Sequence, residues 1–166
     1  SELGDDESTR IIGVCYENGD CVDQDDEKAI ECYTKSAERG YASAQCSLAN
    51  CYRYGKCVEK DLEKALGWYA KAAEQGDAEG QYELGGCYRF GYGTPENYDL
   101  AFKWYLKAAE QGHTEACKVV ADCYHCGNGV EKNSELYHKW LNKAFEDDIL
   151  KKEVVDAKAG TITIGD

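Results

Sequence analysis

Cys15, Cys51, Cys87 and Cys123 stand in steps of 36 residues, and Tyr16, Tyr52, Tyr88 and Tyr124 follow them one by one. Gly19, Gly55, Gly91 and Gly127 keep the same step, as do Lys35, Lys71, Lys107 and Lys143, and Glu38, Glu74, Glu110 and Glu146. Five columns at one period mean tandem copies of one supersecondary unit, each too small to bury its apolar face alone. The chain divides without insertions into residues 7–42, 43–78, 79–114 and 115–150. An acidic head, residues 1–6, is expected to be flexible. Residues 151–166 are expected to form a short capping helix and a loose tail.

Each unit reads as two helices. In the second unit, Ala44, Leu48, Cys51 and Tyr52 fall at helical spacing on one side of a first helix over about residues 44–54, and Gly55 ends it. Asp61 then suits the N-cap of a second helix, with Asp25, Asn97 and Asn133 as its equivalents. That helix carries Ala65, Trp68, Tyr69, Ala72 and Ala73 and stops at Gly76, as its counterparts stop at Gly40 and Gly112. Stacking such pairs predicts an all-α chain, a right-handed α/α superhelical solenoid of four helix-turn-helix repeats with a C-terminal cap. Alanines permit close packing, and Trp68, Trp104 and Trp140 are expected to fill the larger gaps.

The composition fits a folded domain: 166 residues, 43% apolar and a single proline. A formal charge of −13 and a pI near 4.7 argue against nucleic acid or an anionic membrane surface as partner. No apolar run reaches the roughly 18 residues a membrane-spanning helix needs. The N-terminal stretch lacks the features of a signal peptide. The expected localisation is cytoplasmic, with a secreted or periplasmic setting as the alternative if a signal segment preceded Ser1.

"LANCYRYGKCVEKDLEKALGWYAKAAEQGDA" and "LGGCYRFGYGTPENYDLAFKWYLKAAEQGHT" resemble Sel1-like repeats, cousins of the tetratricopeptide class, whose pattern is LGxxYxxGxGVxxDxxKAxxWYxKAAxxG. The resemblance covers residues 7–150. Ile12-Gly13 and Val120-Ala121 replace Leu-Gly in the outer units, Leu141 replaces the tyrosine of positions 33, 69 and 105, and Cys21 and Cys57 replace the second loop glycine. The resemblance implies a scaffold that binds other proteins on a concave surface and has no chemistry of its own. In a cysteine-rich branch of the family, cysteines eight apart join neighbouring units. Here Ala109 stands eight before Cys117 and Glu38 eight before Cys46, so that pairing is missing, which favours a reducing compartment.

Ten cysteines raise the question of metal or disulfides. The four ladder cysteines, one per unit, cannot converge when helix axes lie about 8–10 Å apart, so they read as small core side chains. A Cys15–Cys21 or Cys51–Cys57 bridge is within steric reach. The densest candidate metal set is His113, Cys117, Cys123, His125 and Cys126. On one helix, Cys117 and Cys123 point about 120° apart and Cys126 about 180° from Cys117, so this set does not close. No metal or other cofactor is expected.

If Leu48, Cys51 and Tyr52 face inward, then Ser43, Cys46, Asn50, Arg53 and Tyr54 line the concave wall. The same columns add Arg10, Val14 and Glu17 in the first unit, Tyr82, Arg89 and Phe90 in the third, and Lys118, Asp122, His125 and Cys126 in the fourth. Arginines and aromatics are the residues that dominate protein interfaces. A bound peptide could have its backbone held by Asn50 and a carboxylate held by Arg53 or Arg89. The competing reading makes this a solvated face. The leading expectation is a non-enzymatic, monomeric scaffold for a protein or peptide partner of unknown identity. The alternative is a weak hydrolase or thiol-redox enzyme of the cysteine-rich type. No Ser is followed three residues later by Lys, and adjacent His125 and Cys126 diverge on a helix, so no catalytic constellation is evident. A third possibility is end-to-end self-association of the stack.

Overall fold

Four hairpin joints set the architecture. In each, the residue that caps the second helix sends its backbone N–H back to the carbonyl of the recurrent tyrosine: Asp25 to Tyr16 (3.0 Å), Asp61 to Tyr52 (2.8 Å), Asn97 to Tyr88 (2.8 Å) and Asn133 to Tyr124 (3.0 Å). The same four side chains accept from the helix they open, at Lys28, Lys64, Leu100 and Leu136, over 2.9 to 3.0 Å. One residue thus satisfies an orphan donor of the second helix and ties the loop to the first.

The computed structural model describes residues 2–20 and 22–146. Its helices are α1 (Glu2–Asn18), α2 (Asp26–Glu38), α3 (Ala42–Tyr54), α4 (Leu62–Glu74), α5 (Ala78–Phe90), α6 (Tyr98–Glu110), α7 (Thr114–Cys126) and α8, which covers residues 134–146. The described residues contain no strand and no helix long and apolar enough to cross a membrane. α1 takes in the acidic head from Glu2 onward, where a flexible lead was expected. Cys21, the last residues of the fourth unit and the expected capping helix and tail lie outside the described residues.

Each helix packs on its hairpin partner and on the next pair, α2 on α3, α4 on α5 and α6 on α7. α3 also meets α5 directly, so these two first helices lie side by side along the inner wall. Between repeats the approach is tight because the facing residues are small. Ala37, Ala73 and Ala109 are buried on the second helices, against Ala44, Gly80 and Ala116 on the next first helices. A Cβ added at Gly80 would lie 2.7 Å from Ala72 Cβ and 2.9 Å from Ala73 N. The fourth unit departs from this: Phe145 holds the alanine position and is 55% exposed.

The core bulk comes from tyrosine, not tryptophan. Tyr33, Tyr69 and Tyr105 are buried, whereas the tryptophans expected to fill the gaps are only partly buried, with a lysine ammonium over each ring: Lys71 on Trp68 at 3.8 Å, Lys107 on Trp104 at 3.9 Å and Lys143 on Trp140 at 5.0 Å. Trp and Lys three apart on a helix are neighbours, so the indole is covered from outside by the lysine stem.

Cys51, Cys87 and Cys123 are buried as small core side chains, and Cys15 is half-buried. Cys51 and Cys57 are both free thiols, so the bridge within reach is not formed. Cys57 has a φ of 60°, matching Gly93 (73°) and Gly129 (72°) at the same place in later repeats.

Ala73→Phe places in the second unit the residue found at 145. It is expected to lower stability by about 1–3 kcal/mol, measured by urea unfolding, because the α4–α5 joint has no room for a ring.

Candidate functional site

The inner wall is built by side chains at the C-terminal halves of the first helices, supported from beneath by the core tyrosines. Tyr33 Oη donates to Glu17 Oε2 (2.7 Å), and Tyr69 Oη donates to Asn50 Oδ1 (2.5 Å). Burial pushes the titration of both phenols well above its ordinary value, Glu17 adding to this at Tyr33 and the Glu83 charge at Tyr69, so they act as neutral donors. This fixes two of the expected wall residues, Glu17 and Asn50, from below. Glu17 also meets Lys56 Nζ at 3.5 Å.

Arg53 is the hub of the wall. Its Nη1 donates to Glu83 Oε2 on the next first helix, and both side chains are largely covered, 17% and 16% exposed. Its guanidinium lies 5.0 Å from the ring centres of both Tyr54 and Tyr92. Burial opposes the Arg53 charge, but the Tyr69 hydroxyl and Glu83 outweigh it and raise its pKa further. Burial pushes the Glu83 carboxyl up, and Arg53 pulls it back. Arg53 is therefore already occupied by an intrachain carboxylate. Tyr92 in turn packs on Phe90, with ring centres 5.6 Å apart. Tyr54 and Phe90, 59% and 52% exposed, are the large aromatics this wall presents to solvent. Arg89 lies under Phe90, 5.2 Å from its ring. Between the first two repeats, Val14, Glu17, Ser47, Asn50 and Tyr54 line a cavity of about 230 Å³.

Other expected wall residues are used differently. Tyr82 stacks on His113, with centres 4.7 Å apart and planes 18° apart. His113 Nδ1 accepts from Ala116 N at 3.2 Å and so caps α7, while Nε2 meets Glu79 Oε2 at 3.0 Å. Lys118 pairs with Glu115 on its own helix at 3.0 Å, and His125 leans on Tyr137 at 5.1 Å. Arg10 is half-buried, and its Nε is covered without a hydrogen-bond partner among the described residues. Cys46, expected on the wall, is buried instead: its thiol meets Asp77 Oδ1 at 3.5 Å, the oxygen that also caps α5 through Gly80 N. The contacts therefore join Asn50, Arg53, Tyr54 and Phe90 into one patch and leave Arg10, Lys118 and His125 out of it.

Sequence reading missed Glu83, Tyr92 and the supporting tyrosines. Glu83 was recoverable, since it stands 30 residues after Arg53, the same offset at which Gln75 meets Gln45 and Gln111 meets Gln81, each at 2.8 Å. Tyr92 sits in a loop, where the helical period gives no direction.

The candidate metal set is dispersed. His113 is engaged as above, Cys117 is buried against the Ala109 carbonyl (3.5 Å), Cys123 is in the core, and Cys126 is exposed. The contact between Cys117 and Ala109 occupies the place of the family's eight-residue disulfide. Among the described residues no three metal-ligating side chains cluster. The nine described cysteines are free thiols. Burial pushes Cys51 up to about 12, and Cys87 and Cys123 up to about 11. Burial, with Asp26 beside it, takes Cys57 to about 11.

A stack of helix pairs with one lined wall defines an α/α repeat protein. The Sel1 repeat profile matches residues 7–41, 42–77, 78–113 and 114–148, and the chain belongs to the Sel1-repeat family. Proteins of this family are generally protein-interaction scaffolds and typically non-enzymatic. Among solved structures, the chain is similar to a protective antigen of uropathogenic Escherichia coli with an SLR fold. The two share 36% identity at a TM-score of 0.82, covering 87% of this chain and 31% of that one. It is also similar to a Sel1 repeat protein from Oxalobacter formigenes, at 30% identity and a TM-score of 0.81 over 86% of this chain and 58% of that one. A third similar structure is Helicobacter pylori cysteine-rich protein B, at 25% identity and a TM-score of 0.60, covering 75% and 89% of the two chains. The chain thus spans about a third and somewhat over half the length of the first two. No curated protein matches it.

Two outcomes are expected. The His113 contact, with the His113 charge, holds the Glu79 carboxyl below its ordinary 4.5, against the opposing effect of burial. Its stabilising contribution is therefore complete above that value and lost as pH falls through the lowered one. NMR titration should place Glu79 below 4.5, and His113→Ala should move it up. Among the described cysteines, iodoacetamide should label exposed Cys126 first, with Cys46, Cys51, Cys87, Cys117 and Cys123 labelled only on unfolding, as read by mass spectrometry.

Proposed function

We propose that this chain is a non-enzymatic scaffold that holds a segment of a partner protein along its inner wall, anchored at Tyr54 and Phe90. The observation that carries this reading is the pair of aromatic side chains on adjacent repeats, both more than half exposed. Surface rings of this size are costly to leave in water, and aromatic anchors next to arginine are what interface hot spots are made of. Their backing is rigid: Tyr92 and Arg53 lie beneath them, and Arg53 is itself fixed by Glu83. A segment laid across two repeats would meet a preorganised surface and lose little to its reorganisation.

The test uses a display library of random 12-residue peptides with blocked termini, panned on the chain. Tyr54→Ala and Phe90→Ala should each weaken the recovered peptides by at least about fivefold, with helical circular dichroism unchanged. Peptides that bind both variants as well as the parent would place the binding surface elsewhere.

A further inference from the structure

The stack repeats its geometry but not its chemistry, and the difference between two equivalent places points to a ligand. Around Arg53, the charge and the buried hydroxyl beneath it both have partners within the chain. The guanidinium donates to Glu83, the Tyr69 hydroxyl donates to Asn50 Oδ1, and the Tyr54 and Tyr92 rings flank the charge. One repeat later, Arg89 replaces Arg53, Tyr105 replaces Tyr69 and Phe90 replaces Tyr54. The acceptors do not follow. Val119 stands where Glu83 stood, Gly86 where Asn50 stood, and Asn128 where Tyr92 stood.

The result is an arginine without a carboxylate partner beside a tyrosine hydroxyl without an acceptor, among the described residues. Burial raises the Tyr105 phenol's pKa, and the charge of Arg89 close by opposes the rise. No carboxylate among the described residues comes within ion-pair distance of Arg89. Tyr105 is 3% exposed, and its hydroxyl proton, unlike those of Tyr33 and Tyr69, has no acceptor among the described residues. The space above it is open: a Cβ added at Gly86 would find Tyr105 Oη at 3.6 Å and nothing nearer. An arginine fork and a tyrosine hydroxyl that faces the space beside Gly86 match the two oxygens of a carboxylate.

We propose that the step between the third and fourth repeats is a carboxylate subsite, in which a glutamate side chain of the bound partner segment takes, against Arg89 and Tyr105, the place that Glu83 takes against Arg53. This rests on the inner wall being the binding surface. The occupant is an isolated glutamate and not an acidic run, because the chain's charge of −13 and nearby Asp122 and Glu115 repel a second negative charge. The Phe90 ring, stacked on Arg89, meets the methylenes of that glutamate.

Two experiments test it. In the first, sodium propionate is titrated into arginine-labelled chain while the Nε–H signals are followed by NMR. The Arg89 signal should shift and saturate, the Arg53 signal should stay, and Val119→Glu, which supplies the missing carboxylate from within, should abolish the response. No response at Arg89, or an equal one at Arg53, would overturn the proposal. In the second, peptides recovered on the inner wall should carry a glutamate whose change to Gln weakens binding about 10- to 100-fold on the parent chain and leaves binding to Arg89→Gln unchanged. Peptides that bind through Tyr54 and Phe90 with no such glutamate would overturn the subsite and leave the wall as the binding surface.

Discussion

The whole stack depends on how closely one repeat's second helix can approach the next repeat's first helix. Small side chains permit the approach, and a polar contact locks it. At the end of each second helix the carbonyl of Ala37, Ala73 or Ala109 receives a side-chain donor from eight residues on: Gln45 Nε2 at 3.1 Å, Gln81 Nε2 at 3.4 Å and the Cys117 thiol at 3.5 Å. Helix ends leave carbonyls unsatisfied, and here the neighbouring repeat satisfies them inside a buried joint. Because all three joints are built alike, each repeat sits on its predecessor in the same way. The inner wall can then be read as columns, and a substitution in one column becomes a local change in chemistry on a constant frame.

That constancy explains why so much of the fold was legible in the sequence. The period located the units, the capping residues Asp25, Asp61, Asn97 and Asn133 marked the second helices, and the buried ladder cysteines followed from spacing alone. The site was less legible, for physical reasons. Helical periodicity says which way a side chain leaves its own helix, but not which residue of the next repeat it meets. Arg53 was expected to offer its charge to a ligand, yet Glu83 neutralises it. Cys46 shares a column with Tyr82 and Lys118, yet its short side chain turns into the joint against Asp77, whereas Tyr82 stacks on His113 and Lys118 pairs with Glu115. The tryptophans were expected inside because of their size. Each lies three residues before a lysine whose stem covers it, so half-burial is enough.

The chemistry of the cysteines follows from the same packing. Thiols in alanine-sized spaces behave as small apolar groups, and burial holds the protons of Cys51, Cys87 and Cys123 far above neutral pH. Cys117 replaces a glutamine in the joint and makes the same kind of contact with a carbonyl. The buried cysteines among the described residues therefore serve as small core side chains and weak donors.

The lysine-covered indoles are also unevenly distributed as optical probes. Repeats two to four each hold one tryptophan at an equivalent position, while Cys32 occupies that place in the first repeat. Intrinsic indole emission from this chain is thus a report on three quarters of the stack. Fraying of the first repeat would register in full in backbone ellipticity but reach the fluorescence only through Trp68, which packs on the Ala29–Tyr33 cluster. Since neighbouring repeats are coupled only through their joints, the gap between those two signals would measure how strongly the first repeat is held by the second.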